Sequence, residues 1–287
     1  MFVSMRRFLF FPVLAGMVIL SCYGCWLEPN RITVEEAVIA DDRLWRAWGE
    51  TTIVHLSDLH ITRPGKREKR LAARVRELAP DLIVITGDLA QWDSDPRPAI
   101  DYVTGLQAPL GVYCVLGDSD MATGRQQCLF CHPEGNVHAL RRHPVFLKDT
   151  VQTIHLDGAG RMMAIAGFSP DDERDPAKNL LPDTPDAERE TPLLVLHHFA
   201  HGWEHEAGGR PLLWLAGDTH GGQLRIPDFL WQRVRLVDYP EYRAGLFTDN
   251  RHRWLYVNRG IGTSDFFPVR IGVPPEITVI RFVEEGG

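Results

Sequence analysis

The sequence contains little lysine and carries no excess of positive charge. Four of its 287 residues are lysines, and 31 Lys+Arg against 38 Asp+Glu give a formal net charge of −7. A chain with this balance lacks the basic field that attracts nucleic acids whatever their sequence. We therefore expect no nucleic-acid partner.

The chain also lacks the motifs of several enzyme classes. It has no glycine-rich phosphate loop, no nucleophile elbow and no dinucleotide fingerprint. Apolar residues make up 44% and charged residues 24% of the sequence, which excludes wholesale disorder. The length suits one ordinary domain or two small ones, and no repeat or internal domain boundary is visible.

Charge is absent from residues 8–27, which follow Arg6 and Arg7. About 20 apolar residues can span a bilayer as a helix, and basic residues before such a run favour a cytoplasmic N-terminus. We predict a signal anchor or signal peptide over 1–27 and an extracytoplasmic domain over 28–287. An uncleaved anchor is the first choice, and a secreted or lipid-anchored protein after signal cleavage is the alternative.

Short apolar runs rich in β-branched residues and bounded by turn residues predict buried strands. Seven are visible, at 52–56, 82–86, 112–116, 163–167, 193–196, 212–216 and 254–257. Leu71, Val75 and Leu78 recur at helical spacing between the first two, and prolines at 96 and 98 predict the start of a second helix. Strand, helix and parallel strand indicate an α/β fold, and the polar, proline-rich stretch 169–192 indicates a long surface connection.

Residues of the types that bind metal ions follow five of these strands. They are Asp58 and His60, Asp88, Asp118 and Asp120, His197 and His198, and Asp218 and His220. Ligand sites of open α/β sheets gather at the carboxyl ends of strands, where so many carboxylates would repel one another without cations. Oxygen and imidazole ligands suit Mn, Fe or Zn, and two such ions can clamp a phosphoryl group.

The ordered motifs of the chain resemble those of the calcineurin-like metallophosphoesterases, and most of all their membrane-anchored bacterial branch. The motifs are LSDLH at 56–60, PDLIVITGDL at 80–89, GDTHGGQ at 217–223, NRGIGTS at 258–264 and PPEIT at 274–278. The resemblance implies a four-layer αββα sandwich with two mixed β-sheets, preceded by the N-terminal hydrophobic helix. It also implies a location at the bacterial inner membrane.

The resemblance also implies a role for each residue of the site. Asp58, His60 and His220 would hold the first metal ion, Asp88 would bridge, and Asp118, His197 and Asp218 would face the second, with His198 as the alternative to His197. The catalytic positions would be Asp88, Asp118, Ser119 and Asp120.

Three positions depart from the family pattern. Asp118 and Asp218 stand where the family usually has asparagine and histidine, so four aspartates cancel the charge of two divalent ions and weaken the attraction for phosphate. We expect a preference for a harder ion such as Mn²⁺ or Fe³⁺, or partial occupancy. At the third position, Ser119 stands where the family has a histidine that assists departure of the leaving group. The loss of that histidine favours substrates with nucleotide or pyrophosphate leaving groups, which need the least assistance. The alternative is that a histidine from a neighbouring loop replaces the missing one.

A Cys-x-x-Cys-His sequence occurs outside these motifs, at Cys128, Cys131 and His132. Its spacing is that of c-type haem attachment, but a disulfide or free thiols, or a small site for an additional zinc ion, are the alternatives.

The function expected from these residues is hydrolysis of a phosphodiester or pyrophosphate bond by a metal-activated hydroxide at a dinuclear site. The substrate would be a phosphorylated small molecule, lipid-linked or nucleotide-like. The alternatives are a degenerate phosphoesterase fold that binds without hydrolysis and an exported redox or haem protein.

Overall fold

The structure is a computed structural model that describes residues 2–121, 143–157, 160–168, 170, 191–203, 210–234, 240–249 and 252–286. Its α-helices are α1 (Phe2–Cys22), α2 (Asp42–Trp48), α3 (Lys66–Leu78), α4 (Arg97–Thr104) and α5 (Asp228–Val234). Its strands are β1 (Thr33–Ala40), β2 (Ile53–Leu56), β3 (Leu82–Thr86), β4 (Val112–Val115), β5 (Val145–Phe146), β6 (Thr150–His155), β7 (Met162–Gly167), β8 (Leu193–Leu196), β9 (Leu212–Ala216), β10 (Gly245–Thr248), β11 (Arg253–Val257) and β12 (Glu276–Val283).

The strands form two mixed six-stranded sheets. The first has the order β1-β12-β2-β3-β4-β5, with β12 antiparallel to β2 and the other pairs parallel. The second has the order β10-β11-β9-β8-β7-β6, with antiparallel pairs at its two ends. This arrangement confirms the predicted fold class of an α/β protein with two mixed sheets.

Alternating side chains of the strands divide the core into layers. On β3, Leu82 and Val84 face the second sheet, whereas Ile83 and Ile85 face α3 and α4. The period of two that separates the faces of a strand explains this division. Because both faces are covered, the central strands are mostly apolar, and β8 and β9 are apolar throughout.

All seven predicted strands are present, but five others that the described residues form were missed. Four of the missed strands, β1, β5, β6 and β10, are the edges of the two sheets and are short or half-exposed. The fifth, β12, lies inside the first sheet and is mostly buried, but Glu276, Thr278 and Arg281 interrupt its apolar pattern. Apolar runs identify only strands that are buried on both faces, so the edges escaped detection. Most of the predicted connection 169–192 lies outside the described residues.

One of the described helices is long and apolar enough to span a membrane. The candidate span covers Phe11–Asn30 and includes most of α1. A π-helical turn at Tyr23–Leu27 and a 3-10 turn at Glu28–Asn30 join it to β1. The boundary of the anchor at residue 27 stays a prediction.

A buried histidine lies between the sheets just below the strand ends. The Nε2 atom of His55 lies 2.8 Å from the Thr86 hydroxyl, which itself donates to the Ser57 hydroxyl. Because the hydroxyl proton of Thr86 is used in this way, His55 donates through Nε2. Its buried Nδ1 has no hydrogen-bond partner among the described residues, which disfavours a second proton on the ring. Burial lowers the pKa of His55 to about 3.

His55 makes the protein sensitive to acid. Between pH 6.5 and about 3 the unfolded chain binds a proton that folded His55 does not, so the free energy of unfolding falls as the pH decreases. His55→Gln removes about 1.4 kcal/mol per pH unit from that slope between pH 6 and 4, because one titrating proton is lost. Chemical denaturation of both proteins at several pH values measures it, and parallel slopes would contradict the neutral buried imidazole.

Candidate metal centre

The carboxyl ends of five strands, β2, β3, β4, β8 and β9, bring the acidic and imidazole side chains together. Asp58, His60, Asp88, Asp218 and His220 all have left-handed backbone conformations, with φ between 43° and 69°. Residues other than glycine adopt this region rarely, and clusters of such residues occur at functional sites. The sharp turns aim consecutive motif residues at one point above the sheets.

The first group consists of Asp58, His60 and His220, all of which are buried. The Nε2 atoms of His60 and His220 lie 3.2 Å apart, and Nε2 of His220 lies 3.5 Å from Oδ1 of Asp58. A tetrahedral ion bound to nitrogens at 2.0–2.1 Å separates them by about 3.3 Å. The spacing of the two ring nitrogens therefore fits one metal ion.

The second group lies on the other side of Asp88. Nε2 of His198 lies 3.2 Å from Oδ1 of Asp118 and 3.8 Å from Oδ1 of Asp218. His198 is fully buried, whereas the Asp118 side chain is 55% exposed. This group opens to solvent through Asp118, on the side from which a substrate can enter.

Asp88 lies between the two groups. Its Oδ2 is 3.3 Å from Nε2 of His60, and its Oδ1 is 3.5 Å from Nε2 of His198. Burial disfavours the charged form, but His198 and His60 outweigh burial and lower the pKa of Asp88. An ionised carboxylate with one oxygen toward each group has the geometry of a bridging ligand.

The protonation of His198 supports a cation in the second group. Its Nδ1 lies 2.8 Å from the carbonyl oxygen of Thr86, so Nδ1 carries a proton and donates it. The buried Nε2 atom then has no hydrogen bond among the described residues and faces three carboxylates. Burial disfavours the charged form, but the carboxylates outweigh burial and raise the pKa of His198, so without a metal ion a proton on Nε2 supplies the positive charge of this group. A metal ion can take the place of that proton, so the residues fit the divalent ions that the family implies.

The crowding of carboxylates is itself unfavourable. Burial raises the pKa of Asp218 to about 7, and Asp58 and Asp118 add to the rise against the opposing effect of His198. One further negative charge is thus strongly disfavoured in the absence of cations.

His198, and not His197, points into the cluster. The two residues follow β8 and project to opposite sides, so the ring of His197 packs against Phe168 and Trp214 on the outer face of the second sheet. Its Nδ1 lies 3.1 Å from the carbonyl oxygen of Phe199. The first choice of His197 is therefore corrected in favour of the alternative, because one step along the chain reverses the direction of the side chain.

Ser119 and Asp120 both act on the aspartate that lies between the groups. The Ser119 hydroxyl donates to Oδ2 of Asp88 at 2.9 Å, and its backbone N–H donates to Oδ1 at 3.0 Å. Asp120 is fully buried and accepts backbone N–H bonds from Gly117, Leu89 and Ala90. Its carboxylate therefore fixes the turn that follows β3 and does not face the metal groups.

Sequence reasoning missed two residues that hold the histidines. Oδ1 of Asp265 lies 3.3 Å from Nδ1 of His60, and Asp265 and Asp88 outweigh burial to raise the pKa of His60 to about 10. Carboxylates in this position orient metal-binding histidines.

Arg270 is fully buried, lies 3.3 Å from Nδ1 of His220 and donates to the carbonyl oxygen of Gly262. The NRGIGTS motif ends at residue 264, which explains why the sequence analysis found neither Asp265 nor Arg270.

The glycines that precede the aspartates allow the turns to approach one another. A Cβ atom at Gly117 would lie 2.0 Å from Oδ1 of Asp88, and one at Gly217 would lie 2.4 Å from Oδ2 of Asp58. Each Gly-Asp pair thus supplies both a carboxylate and the space for its neighbour's carboxylate.

Most of the remaining sequence candidates fall on residues that the structure does not describe. Cys128, Cys131 and His132 lie outside the described residues, as do the loop histidines at 138 and 205. His143 contacts the carbonyl oxygen of Leu106 through Nε2, at 2.8 Å. The haem, zinc and disulfide interpretations stay untested.

A family model described as calcineurin-like phosphoesterase matches residues 51–222, which is more than half of the chain. The chain belongs to this family and is a hydrolase of phosphoric ester bonds.

Three relatives illustrate the range of the family. A transmembrane protein with metallophosphoesterase domain from Danio rerio is 29% identical over 91% of this chain, which spans only 60% of that protein. The UDP-2,3-diacylglucosamine pyrophosphatase LpxG of Chlamydia trachomatis is 24% identical over 95% of this chain and 96% of its own length. The phosphodiesterase YaeI of Escherichia coli is 26% identical over 80% of this chain and 82% of its own length.

Gly117→Ala tests whether the packed turns hold the metal groups. The added Cβ displaces Asp88, so we expect at least a tenfold loss of metal affinity with the fold retained. Gly105→Ala, at the end of α4 and remote from the cluster, is the matched control and keeps its metal. Metal titration followed by mass spectrometry measures both, and equal affinities in the two variants would contradict the role of Gly117.

Proposed function

We propose that the protein uses two metal ions to hydrolyse a phosphodiester or pyrophosphate bond in a lipid-linked or nucleotide-type substrate. The observation that supports this most strongly is the position of Asp88, with one oxygen toward each candidate group. Asp58, His60 and His220 would hold one ion, and Asp118, His198 and Asp218 would hold the other.

The ions, when bound, supply Lewis acidity that polarises the phosphoryl oxygens and activates a water molecule for attack in line with the leaving group. The protein's own residues orient the site around that chemistry. Asp265 and the carbonyl oxygen of Thr86 fix the rings of His60 and His198 so that both Nε2 atoms face inward. Ser119 and Asp120 hold Asp88 and its turn in place.

The charge of the site favours hard ions. Four aspartates surround the two groups, and carboxylate ligands select Mn²⁺ or Fe³⁺ over softer ions. The same four charges neutralise two divalent ions, so attraction for phosphate depends on nearby cations. Arg63, which lines a cavity together with Asp265, is the cation that we propose for that role.

The substrate class follows from the leaving group. The Ser119 hydroxyl already donates to Asp88, so it has no proton to give to a departing alkoxide. A missing general acid lowers the rate by about 10²–10⁴-fold for poor leaving groups. Phosphate and nucleotide leaving groups need no such acid, which supports a pyrophosphate bond of the kind named for the relative from Chlamydia trachomatis.

The location of the enzyme is part of the proposal. The apolar helix α1 would anchor the domain in the bacterial inner membrane, and the arginines at positions 6 and 7 favour the extracytoplasmic side. An amphiphilic substrate is then available in the same bilayer.

Hydrolysis of bis(p-nitrophenyl) phosphate by the full-length protein with Mn²⁺ tests the proposal. We expect His198→Gln to lower kcat/KM by at least 10²-fold, because it removes a ligand of the second group. His197→Gln is the matched control at the neighbouring position and retains most of the activity.

Two outcomes would contradict this account. Equal losses in both histidine variants would remove the distinction between the two positions. An inactive wild-type protein that still binds nucleotides or phospholipids would favour a degenerate phosphoesterase that binds without hydrolysis, the alternative that Ser119 and Asp218 favour.

A further inference from the structure

Four large apolar side chains are exposed where the apolar helix meets the domain. Trp26 and Leu27 follow α1, and Phe266 and Phe267 lie in the loop 264–270. Phe266 is 90% exposed, more than any other large apolar residue that the structure describes. We propose that these four residues, the juxtamembrane patch, contact the lipid bilayer: Trp26 and Leu27 do so at the end of the predicted anchor, and Phe266 and Phe267 form a second contact beside it. The inference rests on the proposed membrane anchor.

The loop is fixed to the end of the apolar helix. The backbone N–H of Arg270 donates to the carbonyl oxygen of Gly24 at 3.0 Å, and the N–H of Gly272 donates to the Glu28 carboxylate at 3.0 Å. Gly24 packs so closely that a Cβ atom there would lie 2.8 Å from a methyl carbon of Val269. Glu28 is fully buried, so the chain is held to the domain as soon as it leaves the helix.

The dimensions place the loop within reach of the lipid headgroups. The 20 uncharged residues 8–27 would give a helix about 30 Å long, equal to the hydrocarbon thickness of a typical bilayer, with Trp26 and Leu27 at its end. Consecutive Cα atoms are about 3.8 Å apart, so Phe267 lies within about 8 Å of Val269 and Phe266 within about 11 Å. The headgroup region is about 5–7 Å thick on each side. Aromatic side chains at this depth contribute to membrane contact.

The loop also connects the patch with the metal centre. Asp265, directly before Phe266, lies against His60 and accepts the backbone N–H of Trp92 at 2.7 Å. Phe266, Trp92 and Arg63 line a cavity of about 560 Å³ beside these residues. With Phe266 in the headgroup region, the cavity opens at the membrane surface. The substrate class that fits is an amphiphile that stays in the bilayer while its phosphate reaches the site.

Photo-crosslinking of the full-length protein tests the contact without requiring hydrolysis. Phe266 is replaced by p-benzoylphenylalanine, and the protein is reconstituted in vesicles of phosphatidylethanolamine and phosphatidylglycerol and irradiated. We expect a mass increase of one phospholipid on the peptide that contains residue 266. The matched control is the same replacement at Val151, which is 45% exposed on β6, and no lipid adduct is expected there.

Each other outcome contradicts the membrane contact. Equal lipid adducts at 266 and 151 would show unspecific labelling, and no adduct at 266 would show that the loop remains in water. An adduct with a second copy of the chain or with another protein would make the patch a protein interface.

A double variant links the contact to substrate access. Trp26→Ser with Phe267→Ser changes patch residues that do not line the cavity. We expect unchanged kcat/KM for soluble bis(p-nitrophenyl) phosphate and at least a tenfold loss for hexadecyl p-nitrophenyl phosphate embedded in vesicles. Equal rates on the embedded substrate would overturn the proposed access route. If the wild type hydrolyses neither compound, the proposed function fails, whereas the crosslinking result still decides the membrane contact.

Discussion

Repulsion among carboxylates at one edge of the fold is the constraint on which the site depends. Carboxylate oxygens of four aspartates, Asp58, Asp88, Asp118 and Asp218, lie within 3.8 Å of the ring nitrogens of His198 or His220. The raised pKa of Asp218 illustrates how strongly a further negative charge is disfavoured there. Protonated His60 and His198 offset part of this charge, and divalent cations that replace their protons carry more positive charge to the same place. Metal binding and the stability of this edge are therefore expected to be coupled.

The backbone has been adapted to tolerate this crowding. Left-handed turns aim the ligands inward, and Gly117 and Gly217 leave room for the carboxylates of the neighbouring strand ends. The buried carboxylate of Asp120 and the hydroxyl of Ser119 then hold Asp88 between the two groups. Left-handed backbone conformations of this kind persist where several surrounding hydrogen bonds hold the geometry in place.

Much of this arrangement was predictable because buried parallel strands are continuous apolar runs whose ends are easy to locate. The sequence could not distinguish His197 from His198, since the exact end of β8 decides which side chain faces inward. Asp265 and Arg270 were also missed, because they come from a loop whose path depends on tertiary contacts with Gly24 and His220. Half-exposed edge strands such as β1 give no apolar run to detect.

The central claim is that one carboxylate joins two metal ions. Electron paramagnetic resonance of the full-length protein loaded with Mn²⁺ tests it most directly, combined with a count of ions per chain. Two ions about 3.5–4 Å apart through Asp88 predict two equivalents of Mn²⁺ and an exchange-coupled spectrum. One equivalent with the six-line spectrum of an isolated ion would contradict the dinuclear site.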